Sequence, residues 1–187
     1  MRVAALAAIL FTAILTGCSS GIGTGQVGSS AGPQALASAS PAAVATAPAS
    51  CHLTRPVPAF TAPSPYPAIP PAAYGSSWFG GAALWTMLRP DGETWHDLPR
   101  DKVGYSQKTF WWSTAWDPER EPAPAISVTG RQLDGPATFT GDAGTNAFAD
   151  FGTAMLVGVV LPAPGCWELT ARYRGVDLSY VAWVDGS

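Results

Sequence analysis

Apolar and polar residues alternate with a period of two over several short stretches, and clusters of Gly, Pro and Asp separate those stretches. Half-buried strands joined by turns produce this pattern. The clearest case is Trp167, Leu169, Ala171 and Tyr173, which alternate with Glu168, Thr170, Arg172 and Arg174. Residues 153–161 ahead of it are almost continuously apolar, as for a strand buried on both faces. Pro162-Ala163-Pro164-Gly165 turns the chain between these two, and Gly175-Val176-Asp177 turns it again into a strand over 178–184, so a closing meander is expected. Upstream, 83–88 reads as a strand, Pro90-Asp91-Gly92 as the turn that ends it, and 94–98 as its hairpin partner. Residues 105–112 form an aromatic-rich strand, 125–130 points Ile126 and Val128 inward, and a short strand at 137–140 follows the turn Asp134-Gly135-Pro136. No stretch combines a helical apolar period with caps. The pattern predicts an all-β antiparallel sandwich.

The N-terminus follows a different rule. Arg2 precedes an apolar run over 3–15, about 13 residues, whereas a spanning helix needs about 20. The run fits the apolar region of an export signal. It ends in Leu15-Thr16-Gly17-Cys18, which resembles the lipobox of bacterial lipoproteins. That resemblance implies cleavage after Gly17 and diacylglycerol on the Cys18 thiol; two or more acyl chains suffice for stable anchoring. Residues 1–17 are then a lipoprotein signal peptide, and 18–50 the lipidated cysteine with its tether. Residues 19–50 carry no charge and consist mostly of Ala, Ser, Gly, Thr and Pro, too little apolar surface to offset ordering entropy. As a flexible chain they reach roughly 30 Å. Residues 51–72 form a proline-rich arm: 56–71 hold seven prolines with Phe60, Tyr66 and Ile69 among them, which excludes helix and central strand. The arm is expected to pack on its own domain, residues 73–187, long enough for one core and not two.

All charges except Arg2 follow the tether, and the net charge of the chain is −3. This is neither a nucleic-acid surface nor the polybasic stripe of an anionic-lipid binder. Lipidation of Cys18 leaves Cys51 and Cys166, an even pair that in an exported chain predicts a disulfide. The bridge would tie the arm to the start of the Trp167 strand.

Five runs together resemble a family of exported bacterial proteins, often lipoproteins, that lack an assigned activity. They are CHLTRP (51–56), ALWTMLRPDG (83–92), QKTFWW (107–112), VTGRQLDGP (128–136) and PGCWELTAR (164–172). The resemblance covers residue 51 to the C-terminus. It implies an immunoglobulin-like antiparallel β-sandwich preceded by the proline-rich arm, and it carries no catalytic residues.

For ligand chemistry the most informative stretch is Phe110-Trp111-Trp112 followed by Trp116-Asp117-Pro118-Glu119-Arg120-Glu121. On a strand Trp111 and Trp112 face opposite sides. One ring enters the core, and the other needs cover from the arm or a ligand. An exposed Trp beside Asp117, Glu119 and Arg120 would suit a sugar. The spacing Asp117, Glu119, Glu121 lacks the glycine turn of a calcium loop, and Pro118 and Pro122 stiffen it. His52 and His96 are the only histidines, without metal-ligand spacing, so no metal or other cofactor is expected. From residue 51 onward no Gly-x-Ser-x-Gly or unpaired thiol marks a nucleophile. The expectation is a non-enzymatic binding or structural module on the extracytoplasmic face of a bacterial membrane, held there by lipid. Its partner would be a wall polymer (glycan) or an envelope protein. The competing reading is a small extracytoplasmic hydrolase, which needs two carboxylates in a cleft or an acid beside His96.

Overall fold

The computed structural model describes residues 46–56, 60–70, 77–149 and 152–186. The signal peptide, Cys18 and most of the tether therefore lie outside the described residues. The folded unit is a sandwich of two five-stranded sheets. Its strands are β1 (Ser77–Gly81), β2 (Leu84–Leu88), β3 (Glu93–Trp95), β4 (Tyr105–Trp112), β5 (Ser127–Gln132), β6 (Thr138–Thr140), β7 (Thr145–Ala149), β8 (Gly152–Leu161), β9 (Gly165–Tyr173) and β10 (Val176–Val184). One sheet has the order β1-β2-β4-β8-β7 and the other β3-β10-β9-β5-β6. Neighbouring strands are antiparallel except that β3 runs parallel to β10.

The pairing explains two departures from the sequence pattern. β2 is flanked by β1 and β4, so both its edges are taken. β3 therefore does not fold back on β2 as a hairpin; the Arg89–Gly92 turn is a corner that carries the chain to the free edge of β10. Gly92 makes this corner possible. It has φ +104°, and a Cβ there would lie 2.6 Å from Cβ of Leu53 in the arm. β8 is likewise flanked by β4 and β7. The turn at 162–164 thus leads into the other sheet, and only β9–β10 of the expected meander is a hairpin. Nor is β8 buried on both faces: Met155, Val157, Val159 and Leu161 enter the core, while Leu156, Gly158 and Val160 between them are half-buried.

The space between the sheets is filled by Trp111, Met155, Val157, Leu161, Trp167, Leu169, Tyr180 and their neighbours. Close packing of such a layer requires small residues opposite large ones. At Gly130 on β5 the Phe139 ring of β6 lies over the backbone, where any Cβ would overlap it, and the ring meets Trp167 in a tilted contact at 5.6 Å. A second apolar cluster lies on the outer face of the first sheet. There Phe60, Ala62 and Tyr66 of the arm cover Trp78, Trp85 and Trp112. Tyr66 meets Trp85 edge-on at 5.5 Å, and Trp78 meets Trp112 edge-on at 5.0 Å. The Trp78 indole donates to the Pro67 carbonyl (2.9 Å), which fixes the arm by a polar contact as well as by burial.

The arm is also fastened at its start. Cys51 and Cys166 form the expected disulfide. Three residues on, Thr54 N–H donates to the Val181 carbonyl (3.2 Å), and the Thr54 hydroxyl accepts from Val181 N–H (2.9 Å). Residue 54 thereby extends the β10 edge beyond the stretch paired with β3. The ordered part begins before Cys51, since Cys51 N–H closes a turn on the Pro48 carbonyl (2.8 Å).

Candidate functional site

Three of the residues singled out from the sequence as a possible sugar platform are buried. Trp111 and Trp112 are 0 % exposed and Trp116 is 7 % exposed. Trp111 enters the main core, and Trp112 is sealed by the arm, so alternation within β4 disposes the two rings as expected and leaves neither for a ligand. Trp116 spends its indole N–H on the Glu121 carbonyl (3.0 Å). The aromatic-platform expectation is therefore corrected. Asp117, Glu119 and Arg120 form a solvated turn: the Asp117 carboxylate accepts from Glu119 N–H (3.0 Å) and faces Arg120 Nε at 3.3 Å. With every ring of the set buried, this turn has no stacking partner for a sugar.

Glu121, at the end of that turn, has a structural task. Its carboxylate accepts from the Tyr173 hydroxyl (2.6 Å), Arg174 (2.8 Å) and Ala125 N–H (2.8 Å), tying the loop to the end of β9. The Tyr173 hydrogen bond above all holds the carboxyl below its ordinary value, while burial and Glu121 push Tyr173 up to about 12. A folded-state carboxyl pKa below the unfolded one contributes stability above the unfolded value, lost as pH falls through the folded one. Glu121→Gln is thus expected to cost about 1 kcal/mol at neutral pH, the size of one charge-assisted hydrogen bond. The gap should close as the pH is lowered from about 5 toward 3, read by urea unfolding at several pH values.

A sizeable concavity lies elsewhere among the described residues. An open cleft of ≈ 760 Å³ runs between the start of the arm and the β2–β3 corner, lined by His52, Arg55, Arg89, Asp91, Thr94 and His96, with Thr46, Ala47 and Pro48 at one end. It joins the runs CHLTRP (51–56) and ALWTMLRPDG (83–92). Their contact is direct: Leu53 packs on Gly92, and Arg55 Nε donates to the Asp91 carbonyl (3.3 Å). His96 does not pair with its sequence neighbour Asp97. Its Nδ1 contacts the carboxylate of Asp185, which is buried at the end of β10 and whose N–H donates to the Trp95 carbonyl (3.1 Å). Since Nδ1 is engaged, Nε2 is the ring atom left to meet a ligand.

Behind the corner, Glu93 is buried between the sheets. Its carboxylate accepts from Arg89 N–H (2.5 Å) and from the Trp95 indole (2.9 Å). Loss of hydration raises its pKa, and these two hydrogen bonds oppose the rise. Glu93 thus braces the corner from the inside and leaves the arginine side chain to the solvent side. Among the described residues no group of three or more His, Cys, Asp or Glu is placed to hold a metal ion.

The runs VTGRQLDGP (128–136) and PGCWELTAR (164–172) meet at a different corner. Arg131 pairs with Glu168 (2.7 Å), Gln132 Nε2 donates to the Pro164 carbonyl (3.0 Å), and the Asp134 carboxylate accepts from Cys166 N–H (3.1 Å). These contacts steady the disulfide and the entry to β9. The sequence pattern pointed to Trp111 and the charged turn, and missed the cleft, because His52 and Arg55 meet Arg89 and Asp91 only through the fold. No family model, no curated protein and no solved structure matches this chain.

Proposed function

We propose that the chain is a lipid-anchored, extracytoplasmic module of the bacterial envelope that binds a wall polymer or an envelope protein in the cleft between its arm and the β2–β3 corner. The observation that carries the address is the Cys51–Cys166 disulfide. It uses both cysteines other than Cys18, and such bonds persist where the surroundings are oxidising. Cys18 then remains as the single thiol, placed in a lipobox-like run. The cleft supports the binding role: it is an open hollow of ≈ 760 Å³, it is lined by charged side chains, and a disulfide holds one of its walls.

Cys18→Ala is expected to move the protein from the membrane fraction to the soluble extracytoplasmic fraction, followed by fractionation and immunoblotting. Continued membrane retention of the variant would count against lipidation. For the binding role, the soluble variant should retain a wall polymer or an envelope protein in pull-down. The His96–Asp185 contact also resembles the way a hydrolase orients a general base. Turnover of a wall-derived ester or phosphodiester by the purified chain, lost in His96→Ala, would replace the binding reading with an enzymatic one.

A further inference from the structure

We propose that this cleft is a site for a phosphate or phosphodiester group, gripped by the guanidinium groups of Arg55 and Arg89. The inference rests on the reading of the cleft as the ligand seat and adds the ligand's chemical class. Four arginines elsewhere on the domain are matched to carboxylates: Arg131 to Glu168, Arg172 to Asp177, Arg174 to Glu121 and Arg120 to Asp117. Among the described residues three arginines enter no such pair: Arg100, which lies over the Tyr105 ring at 5.0 Å, and Arg55 and Arg89. Arg55 and Arg89 both line one cleft in which Asp91 is the single carboxylate, although Arg89 also borders a second hollow beside Glu93; the cleft is locally cationic although the chain as a whole carries −3.

The local chemistry favours a planar, forked contact. Arg55 Nε is spent on the Asp91 carbonyl. That bond orients the guanidinium and leaves its two terminal nitrogens for an anion. Arg89 is held through its backbone, whose N–H meets Glu93 and whose carbonyl accepts from Gly92 N–H (3.0 Å). Glu93 feels the Arg89 charge, but its buried carboxylate takes its hydrogen bonds from Arg89 N–H and the Trp95 indole and forms no ion pair with the guanidinium. Two guanidinium groups with terminal donors free match the oxygens of a phosphate better than lysines would. His52 and His96 flank the two arginines in the same cleft. Because the disulfide and the Thr54–Val181 bonds hold the arm wall in place, little ordering remains to be done on binding.

Where the cleft opens narrows the source of the phosphate. Thr46 to Pro48 line it, so the segment that the lipid anchor would hold enters the domain at this hollow. The phosphate would then belong either to anionic lipid headgroups or to a phosphate-bearing wall polymer.

The test uses the full chain as the exported, disulfide-bonded Cys18→Ala variant. Titration with inorganic phosphate and with glycerol phosphate at low salt, followed by NMR of the histidine rings, should give saturable shifts at both His52 and His96. Adding Arg55→Gln and Arg89→Gln together should weaken binding at least tenfold, whereas Arg131→Gln should leave it unchanged. Lysine at both positions should retain part of the affinity, and an unaltered thermal midpoint establishes that the fold is intact. Vesicles containing phosphatidylglycerol, with phosphatidylcholine vesicles as control, and a glycerol-phosphate wall polymer form the two further arms. Arginine-dependent binding in either arm supports the site and names its source. Absence of phosphate binding, or binding undiminished in the double glutamine variant, overturns the proposal. If a neutral glycan or an envelope protein is then still retained and is lost on His52→Ala, the cleft remains the ligand seat and only the anion assignment falls. If nothing is retained, both fall.

Discussion

Replacing Cys51 and Cys166 together by alanine is expected to lower stability by about 4–5 kcal/mol, the loop-closure value for a bridge of this length. The bridge spans a sequence separation of 115 residues. A loss of that size approaches the whole stability of many single domains, about 5–15 kcal/mol. The effect should be local before it is global. Cys51 starts the arm, and its partner Cys166 lies where Asp134 and Leu133 grip the entry to β9. Without the bond, the Thr54–Val181 hydrogen bonds alone tie residues 46–56 to β10, and the arm wall of the cleft loosens. Urea unfolding of the double variant and of the reduced native chain should show the same large drop in midpoint. An unchanged midpoint would show that burial of the arm by itself holds the domain together.

Trp112→Ala is expected to cost about 3–5 kcal/mol, as for truncation of a buried aromatic ring, and to release the arm. The Trp112 ring lies at the centre of the outer cluster, edge-on to Trp78 and 6.4 Å from Tyr66. Its removal leaves Tyr66 and Ala62 without the floor on which they pack. Trp111→Ala should cost a similar amount but leave the arm in place, because that ring lies among Tyr180 and its neighbours on the other side of the sheet. Limited proteolysis separates the two outcomes. Cleavage within residues 56–72 should accelerate in Trp112→Ala at temperatures where the sandwich is still folded, and not in Trp111→Ala. Equal protection of the arm in both variants would mean that Trp78 and Trp85 are sufficient to hold it.

These two predictions mark where sequence pattern was enough and where it was not. Strand β4 was legible at 105–112, and alternation placed Trp111 and Trp112 on opposite faces, because side-chain direction along a strand follows from the backbone alone. β8, β9 and β10 were legible for the same reason, through their apolar runs and the turns at 162–165 and 175–177. β1 and β7 were not: SWFGG carries two glycines, and TNAFA is short with weak alternation. The charged turn after Trp116 drew attention because aromatic and acidic residues are adjacent there in sequence. In the fold its ring is turned inward.

Local sequence by itself determined that the domain is built of strands, which residues of each strand share a face, and that Cys51 pairs with Cys166. Period-two alternation, turn residues and an even count of cysteines are short-range or compositional properties, and they survive in any arrangement of the strands. Tertiary structure alone decided which edge each strand takes. With β2 and β8 already flanked on both sides, β3 and β9 pass to the opposite sheet, and this crossing sets the Arg89–Gly92 corner against the arm. His96 meets Asp185 across 89 residues, and Arg55 meets Asp91 across 36. No local pattern encodes these distances, because they depend on the competition of whole strands for a limited number of free edges.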